Sequence, residues 1–340
     1  MLFKNKTVIF EKPPVITGSA GVVGKKEGEG PLRNHFDIIY EDTTMGQDSF
    51  ELAESAMQHA AIVRALSNAG KSPSDVRFAM TGDLLDQCVG SCFALKDLQI
   101  PFVGMYGACS TMALTLANCA MLVDGGAKCC VSGASSHFCS SERQFRFPLE
   151  YGTQRPPTSQ WTVTGAGSCV VEEQSENNSD CPKITAAQIG TITDLGIKDP
   201  NNMGAAMAPA AARTINDFLN DTDSAAGDYD LILTGDLGAT GTELLHEVLE
   251  IEYGKDIRSV HNDCGLMIYD RKKQDVNSGG SGCGCSASVL SSYILKKMRL
   301  GKFNKVLFVA TGALMSPTST KQGQPIPGIA HAVLLETNPL

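Results

Sequence analysis

The feature that most constrains the fold is an internal repeat, in which four landmarks occur in the same order in each half of the 340-residue chain. Each half has a helix, a strand that ends in Thr-Gly-Asp, a Cys-Ser pair that opens an apolar helix, and a strand that contains Gly-Ala. The two Thr-Gly-Asp triplets are residues 81–83 and 234–236, and the two Cys-Ser pairs are residues 109–110 and 285–286. This recurrence predicts two structurally similar halves.

The alternation of strands and helices predicts an α/β protein whose mainly parallel strands are covered on both faces by helices. Two such halves give two sheets with shared helices between them. The polar segment 172–180 is the expected junction. We therefore expect an N-terminal half, residues 1–175, which carries Cys109 and a long loop at 137–163, and a C-terminal half, residues 176–340.

Composition and charge exclude several classes of function. The net charge is −9 and no basic stripe is present, which argues against a nucleic-acid partner. No segment has the residue order of a signal peptide, and the longest apolar run, 109–123, is too short to cross a membrane. The twelve cysteines lack paired zinc-site spacing and suit a reducing compartment. We expect a soluble chain of cytoplasmic origin, with no metal centre and no resident cofactor.

Two long motifs give a family resemblance that covers nearly the whole chain. Two pseudo-symmetric halves, with a cysteine where a buried helix begins, resemble the thiolase and β-ketoacyl-synthase superfamily. More specifically, residues 132–167 and the sequence GGSGCGCSA at 279–287 resemble the stage V sporulation protein AD family of endospore-forming bacteria. The resemblance implies a thiolase-like fold of two mainly parallel sheets that sandwich buried helices.

The same resemblance implies a ligand and partners. The implied role is binding of dipicolinic acid (pyridine-2,6-dicarboxylic acid) for uptake into the developing spore, with calcium entering together with the ligand if the calcium chelate is the form bound. The implied partners are membrane proteins of the same stage V sporulation A operon and a second copy of the chain. The protein would then be peripheral to the inner membrane of the developing spore and relevant to germination as well.

Cys109 is the residue on which the choice between enzyme and binding protein depends. A helix start stabilises negative charge and lowers a thiol pKa, and in thiolase-like enzymes this cysteine is acylated. The resemblance places histidine and asparagine partners in the second half, where this sequence has Asp236 and Cys283. An aspartate would raise the thiol pKa instead. We therefore predict a binding protein; the alternative is an acyltransferase or β-ketoacyl-synthase-like enzyme acylated on Cys109.

Three further residues follow landmarks that line the pocket in this fold. His137 and His331 are predicted either to face Cys109, as bases or as donors to a ligand carboxylate, or to be ordinary buried histidines. Asp83 ends a strand at the edge where α/β sheets bind ligands. It is predicted to contact the ligand or its calcium ion, and the alternative is a helix cap.

The long loop supplies the remaining candidates. Arg143 and Arg146 could pair with ligand carboxylates, and Trp161 could stack on a planar ring. The alternative is that Glu142 and Glu150 neutralise the arginines while Trp161 packs into the core or a dimer interface. The full set predicted to bind ligand is Asp83, Cys109, His137, Arg143, Arg146, Trp161, Asp236, Cys283 and His331.

Overall fold

The computed structural model describes residues 1–146 and 155–338, with Arg146 described by its backbone alone. The strands are β1 (Leu2–Lys4), β2 (Thr7–Ile9), β3 (Val15–Val23), β4 (Ile38–Ile39), β5 (Phe78–Gly82), β6 (Phe102–Gly104), β7 (Cys129–Ser136), β8 (Trp161–Thr162), β9 (Gly165–Glu172), β10 (Lys183–Gln188), β11 (Leu231–Thr234), β12 (His261–Asp263), β13 (Gly280–Ser281), β14 (Lys305–Ala313) and β15 (Gly328–Glu336).

The helices cover the faces and the centre of these strands. They are α1 (Lys25–Gly28), α2 (Phe50–Asn68), α3 (Val89–Leu95), α4 (Thr111–Asp124), α5 (Phe138–Arg146), α6 (Met203–Asp221), α7 (Gly238–Tyr253), α8 (Cys264–Met267), α9 (Cys283–Val289), α10 (Leu295–Arg299) and α11 (Pro317–Lys321). A π-helical turn, Leu290–Ile294, joins α9 to α10. No helix in the described parts of the chain has both the length and the apolar character needed to cross a membrane.

The strand order confirms the predicted internal repeat. The first half has the order β3-β9-β7-β5-β6, and the second half has the order β10-β15-β14-β11-β12. In each half the first two neighbouring pairs are antiparallel and the last two are parallel, so only β9 and β15 run against the other strands of their sets. The two sets meet at β3 and β10, where Val15 lies opposite Lys183.

Helices between the two strand sets form the central core, as the thiolase-like fold requires. The helix α4 contacts β7 of its own half and both β14 and β15 of the other half. Met112 and Leu116 of α4 are fully buried there, with Val289 and Leu290 of the α9 segment. Two outer cores lie where α2 covers the first strand set and α6 covers the second. The division of the chain at residues 175 and 176 remains a prediction; it falls in the connection between β9 and β10.

A tight turn before α4 fixes the position of Cys109. Ala108 adopts a positive φ of 49°, a conformation that costs a residue with a side chain about 1 kcal/mol. Hydroxyl groups stabilise the turn: Ser110 Oγ donates to the Gly107 carbonyl at 2.6 Å, and Thr111 Oγ1 donates to the Ala108 carbonyl at 2.7 Å. Unusual backbone held by its surroundings is typical of functional sites.

The segment predicted as a long loop from residue 137 begins with a helix instead. Residues 138–146 form α5, which packs against α2. The sequence of this helix has no glycine or proline, and the first proline of the segment is residue 148. A helix can therefore form before the first breaker, although the length of the segment suggested a loop.

Candidate functional site

A hollow of about 440 Å³, including its part open to solvent, lies beside Cys109. Its interior is narrow, with about 40 Å³ of free space at the scale of a water molecule. The lining is mostly apolar, with a small number of polar groups. The lining residues are Leu84, Tyr106, Ala108, Cys109, Ser141, Glu142, Phe145, Thr162, Met203, Ser281, Ala313 and Met315.

The base of the hollow is formed where the short strands β8 and β13 pair. Their register places Ser281 beside Thr162. Ser281 Oγ lies 4.0 Å from Cys109 Sγ and donates a hydrogen bond to Asp236 Oδ2 at 3.1 Å. Ser281 therefore connects the cysteine of the first half to the aspartate of the second.

Asp236 is fully buried and accepts several hydrogen bonds. The Gly282 N–H donates to Oδ2 at 2.8 Å, and Thr311 Oγ1 donates to Oδ1 at 2.8 Å. Burial nevertheless raises the pKa of Asp236 to about 6, because these hydrogen bonds only partly offset desolvation. At pH 7 the carboxyl is therefore mostly charged, but it gains a proton under only mildly acidic conditions.

The surroundings of Cys109 oppose formation of a thiolate. Burial is the largest cause that raises its pKa well above the usual range, and the charge of Asp236 is the second. These effects outweigh the stabilisation that the start of α4 offers to negative charge. Because the thiolate is the nucleophile, the protonated Cys109 is poorly suited to attack a thioester.

Cys283 lies behind Cys109 and its thiol has a structural partner. Its Sγ donates to the Ser135 carbonyl at 2.9 Å, and the residue is fully buried. Desolvation raises its pKa well above the usual range, followed by the effect of the charge of Cys109. The structure thus brings together three of the predicted residues: Cys109, Asp236 and Cys283.

Asp83 stabilises a turn and a helix start rather than lining the hollow. Its Oδ1 accepts the Leu85 N–H at 2.9 Å, while Oδ2 accepts both the N–H and the hydroxyl of Ser91 at 2.7 Å. These contacts cap the first turn of α3, which was the alternative reading of the sequence. The neighbouring Leu84 lines the hollow instead. Sequence reasoning missed Glu54, a buried partner of this region whose pKa is raised to about 8, first by burial and then by the charge of Asp83.

The rings of the two histidines predicted near Cys109 both form hydrogen bonds with backbone groups. His137 Nδ1 accepts the Cys139 N–H at 3.2 Å, so Nε2 carries the proton and donates to the Thr43 carbonyl at 2.8 Å. His331 Nδ1 accepts the Gly190 N–H at 3.0 Å, and burial lowers the pKa of His331 to about 4. Neither ring lines the hollow.

The charged and aromatic candidates of the long segment also have other partners. Arg143 is exposed and forms an ion pair with Glu51. The Trp161 ring stacks on Phe138, with ring centres 4.0 Å apart, and Lys26 Nζ lies 3.7 Å from the Trp161 ring centre. Phe138 and Lys26 are too close to the ring to lie on the same face, so each face of the indole is covered by one of them. The side chain of Arg146 lies outside the described residues.

Comparison with known proteins decides the family. The sequence model described as "Stage V sporulation protein AD" matches residues 4–336. A relative named "Stage V sporulation protein AD", from Bacillus subtilis strain 168, is 45% identical over 332 residues, which cover 97% of this chain and 96% of the relative. The chain belongs to the stage V sporulation protein AD family. The predicted family resemblance is confirmed.

Solved structures show that this family member has the thiolase-like fold of acyl-condensing enzymes. A 3-oxoacyl-[acyl-carrier-protein] synthase III from Aquifex aeolicus matches with a TM-score of 0.59 and 14% identity, over 95% of this chain and 99% of the other. An OleA variant from Xanthomonas campestris matches with a TM-score of 0.61 and 12% identity, over 97% and 99% of the two chains. At such identities the likeness establishes the fold alone.

Small hydroxyl residues of this family member were missed by sequence reasoning. Ser281, Thr162 and Ser141 all line the hollow, and Thr162 Oγ1 donates to Glu142 at 3.2 Å. Their positions were visible in the sequence: Ser281 is two residues before Cys283, and Ser141 is one helical turn after His137. The predicted site consisted mainly of charged, aromatic and cysteine side chains and did not include these hydroxyl groups.

Proposed function

We propose that this protein is a non-catalytic receptor that binds dipicolinic acid in the hollow beside Cys109, for uptake into the developing spore. The observation that carries the proposal is the contact of a protonated Cys109 with Ser281 and the buried Asp236. A hollow lies beside Cys109, whereas the position at which the family resemblance implies an activating histidine carries the carboxyl of Asp236.

The walls of the hollow suit a flat aromatic ligand. Phe145 and Tyr106 supply aromatic surface, and Met203 and Met315 supply polarisable thioethers. Methionine sulfur makes favourable contacts with aromatic rings, and its flexible chain adapts to their shape. Hydroxyl groups of Ser141, Thr162 and Ser281 are also part of the lining, and an aromatic acid would place its carboxylate against such groups.

Charge neutralisation is the main requirement for a diacid at this position. Glu142 lines the hollow and Asp236 lies directly behind it. A dianion would therefore favour the neutral form of Asp236, whose pKa is already raised to about 6. A calcium ion bound together with the ligand would also reduce the repulsion, and the oxygen atoms of Glu142 are of the type that calcium prefers.

The alternative function is acyl transfer through Cys109, which is favoured by the position of this residue at the start of α4. Such an enzyme would transfer an acyl group from a thioester to Sγ, with the thiol proton passing to a base and the leaving thiolate being protonated. The raised thiol pKa and the occupied histidines make the site poorly suited to this step.

The proposed function predicts binding that depends on the hollow and not on the cysteines in general. Calorimetric titration of the wild type with dipicolinate should give saturable heat. Cys109→Ala should bind severalfold more weakly, since a buried contact of this size is worth about 1 kcal/mol. Cys119→Ala is the matched control. Cys119, which lies in α4, is buried as Cys109 is, but it does not line the hollow. Absence of heat with the wild type, or equal affinity of the two variants, would contradict the proposal.

The exposed strand at one end of the strand order supports a proposal about partners. The strand β6 ends the strand order, and Phe93, Val103 and Tyr106 near it are each 40–47% exposed. An apolar strand edge favours pairing with another strand, and we propose that a second copy pairs there to form a homodimer. Peripheral attachment to the spore inner membrane would then require membrane proteins of the stage V sporulation A operon as partners.

A further inference from the structure

Ser141 is a buried hydroxyl residue whose hydrogen-bonding capacity is unused. It lies in α5, lines the hollow and is only 2% exposed. Among the residues that the structure describes, its Oγ has no hydrogen-bond partner. Burying an unsatisfied hydroxyl lowers stability, so such groups in native structures call for an explanation.

The other polar groups at the base of the hollow already interact with carboxyl groups. Thr162 Oγ1 donates to Glu142, and Ser281 Oγ donates to Asp236. The thiol of Cys109 also interacts with the Asp236 carboxyl. The protons of these three groups are therefore engaged, whereas the buried hydroxyl of Ser141 remains available to a ligand among the residues that the structure describes.

We infer that Ser141 is a specificity-determining residue that donates a hydrogen bond to a carboxylate of the bound aromatic acid. The inference rests on the proposed function and adds to it the group that recognises the ligand's charge. A hydrogen bond to a charged acceptor is stronger than one to a neutral acceptor. A buried hydroxyl donor that faces the hollow can therefore recognise a carboxylate there.

The adjacent Ser140 provides a matched control. Its side chain is equally buried, but its Oγ donates to Glu54 Oε2 at 2.8 Å and it does not line the hollow. Removal of the Ser140 hydroxyl breaks an internal hydrogen bond, whereas removal of the Ser141 hydroxyl breaks none among the described residues. Ser140→Ala should therefore lose stability and keep its affinity for the ligand, whereas Ser141→Ala should keep its stability and lose affinity.

The experiment titrates the wild type, Ser141→Ala and Ser140→Ala with dipicolinate by calorimetry, and unfolds each protein in urea. Ser141→Ala should bind about 10- to 100-fold more weakly, with an unfolding midpoint equal to or above that of the wild type. Ser140→Ala should have a lower midpoint and an affinity within about threefold of the wild type. Ser141→Cys, which keeps the size but donates weakly, should also lose affinity.

The outcomes separate this inference from the proposed function. If the wild type binds dipicolinate and Ser141→Ala and Ser141→Cys bind it equally well, the role of Ser141 is wrong while the receptor function stands. If the wild type gives no binding heat, the receptor function fails, and the inference fails with it. A loss of affinity in Ser140→Ala as large as that in Ser141→Ala would also overturn the inference, because the effect would then belong to α5 as a whole.

Discussion

At the scale of single residues, Cys109 shows how surroundings decide the chemistry of a side chain. The start of α4 favours a thiolate, but burial and the charge of Asp236 raise the thiol pKa and prevail. Asp236 is itself held by Ser281, Gly282 and Thr311. Cys109 keeps a position that suits a nucleophile, but its electrostatic surroundings favour the neutral thiol.

The first prediction concerns the reactivity of this thiol. At neutral pH, alkylation by iodoacetamide followed by mass spectrometry should label the exposed Cys92 quickly and Cys109 far more slowly. Asp236→Asn should speed the labelling of Cys109, because the loss of a negative charge lowers the thiol pKa. Cys92 is the internal control and should react at the same rate in both proteins. Faster labelling of Cys109 than of Cys92 in the wild type would show an activated nucleophile.

Sequence reasoning found the residues that follow repeated landmarks and missed those placed by tertiary contacts. Cys109 and Asp236 were predictable because each stands at a repeated position, and Cys283 because the family resemblance implies a partner residue there. The role of Ser281 depends on the pairing of β13 with β8, two strands of two residues each, which no local pattern reveals. For His137 and His331 the sequence left two environments open, and the structure shows the buried, hydrogen-bonded one, because the partners of their rings are backbone groups distant in the sequence or set by a turn.

At the scale of secondary-structure elements, short helices shape the hollow. The helix α5 presents Ser141, Glu142 and Phe145 to it, although the sequence suggested a loop there. The strand pattern was easier to predict, because buried strands such as β11 and β14 contain apolar runs bounded by glycine or charged residues.

The second prediction concerns the cap of α3. Asp83→Ala should lower the free energy of unfolding by about 1–2 kcal/mol, because it removes the hydrogen-bond acceptor for Leu85 and Ser91. Little repulsion is relieved in exchange, since Glu54, with a pKa of about 8, is mostly neutral at pH 7. Urea unfolding measures the change, and Asp86→Ala, at an exposed position, is the control. Equal stability of the two variants would show that the Asp83 cap contributes nothing.

At the scale of the whole molecule, the two halves share one strand order and join at β3 and β10, where each half contributes its first long strand. This arrangement leaves β6 and β12 at the two ends of the strand order. The repeat in the sequence predicted the similarity of the halves. It did not predict how they join, because that contact is formed by strands that precede the repeated landmarks.

The third prediction tests the proposed homodimer. Sedimentation should show a dimer for the wild type and a monomer for Val103→Glu, because a charge on β6 prevents pairing of two apolar edges. Ile251→Glu changes an even more exposed apolar residue, on α7, and should leave the dimer intact. A monomeric wild type, or a dimeric Val103→Glu, would contradict pairing through β6.

The most direct test of the central claim is the rate of Cys109 alkylation, followed by mass spectrometry, as dipicolinate is added. A ligand in the hollow should slow the labelling of Cys109 in a saturable manner and leave Cys92 unaffected. Labelling of Cys109 that stays constant at dipicolinate concentrations that saturate calorimetric binding would place the ligand elsewhere and contradict the account.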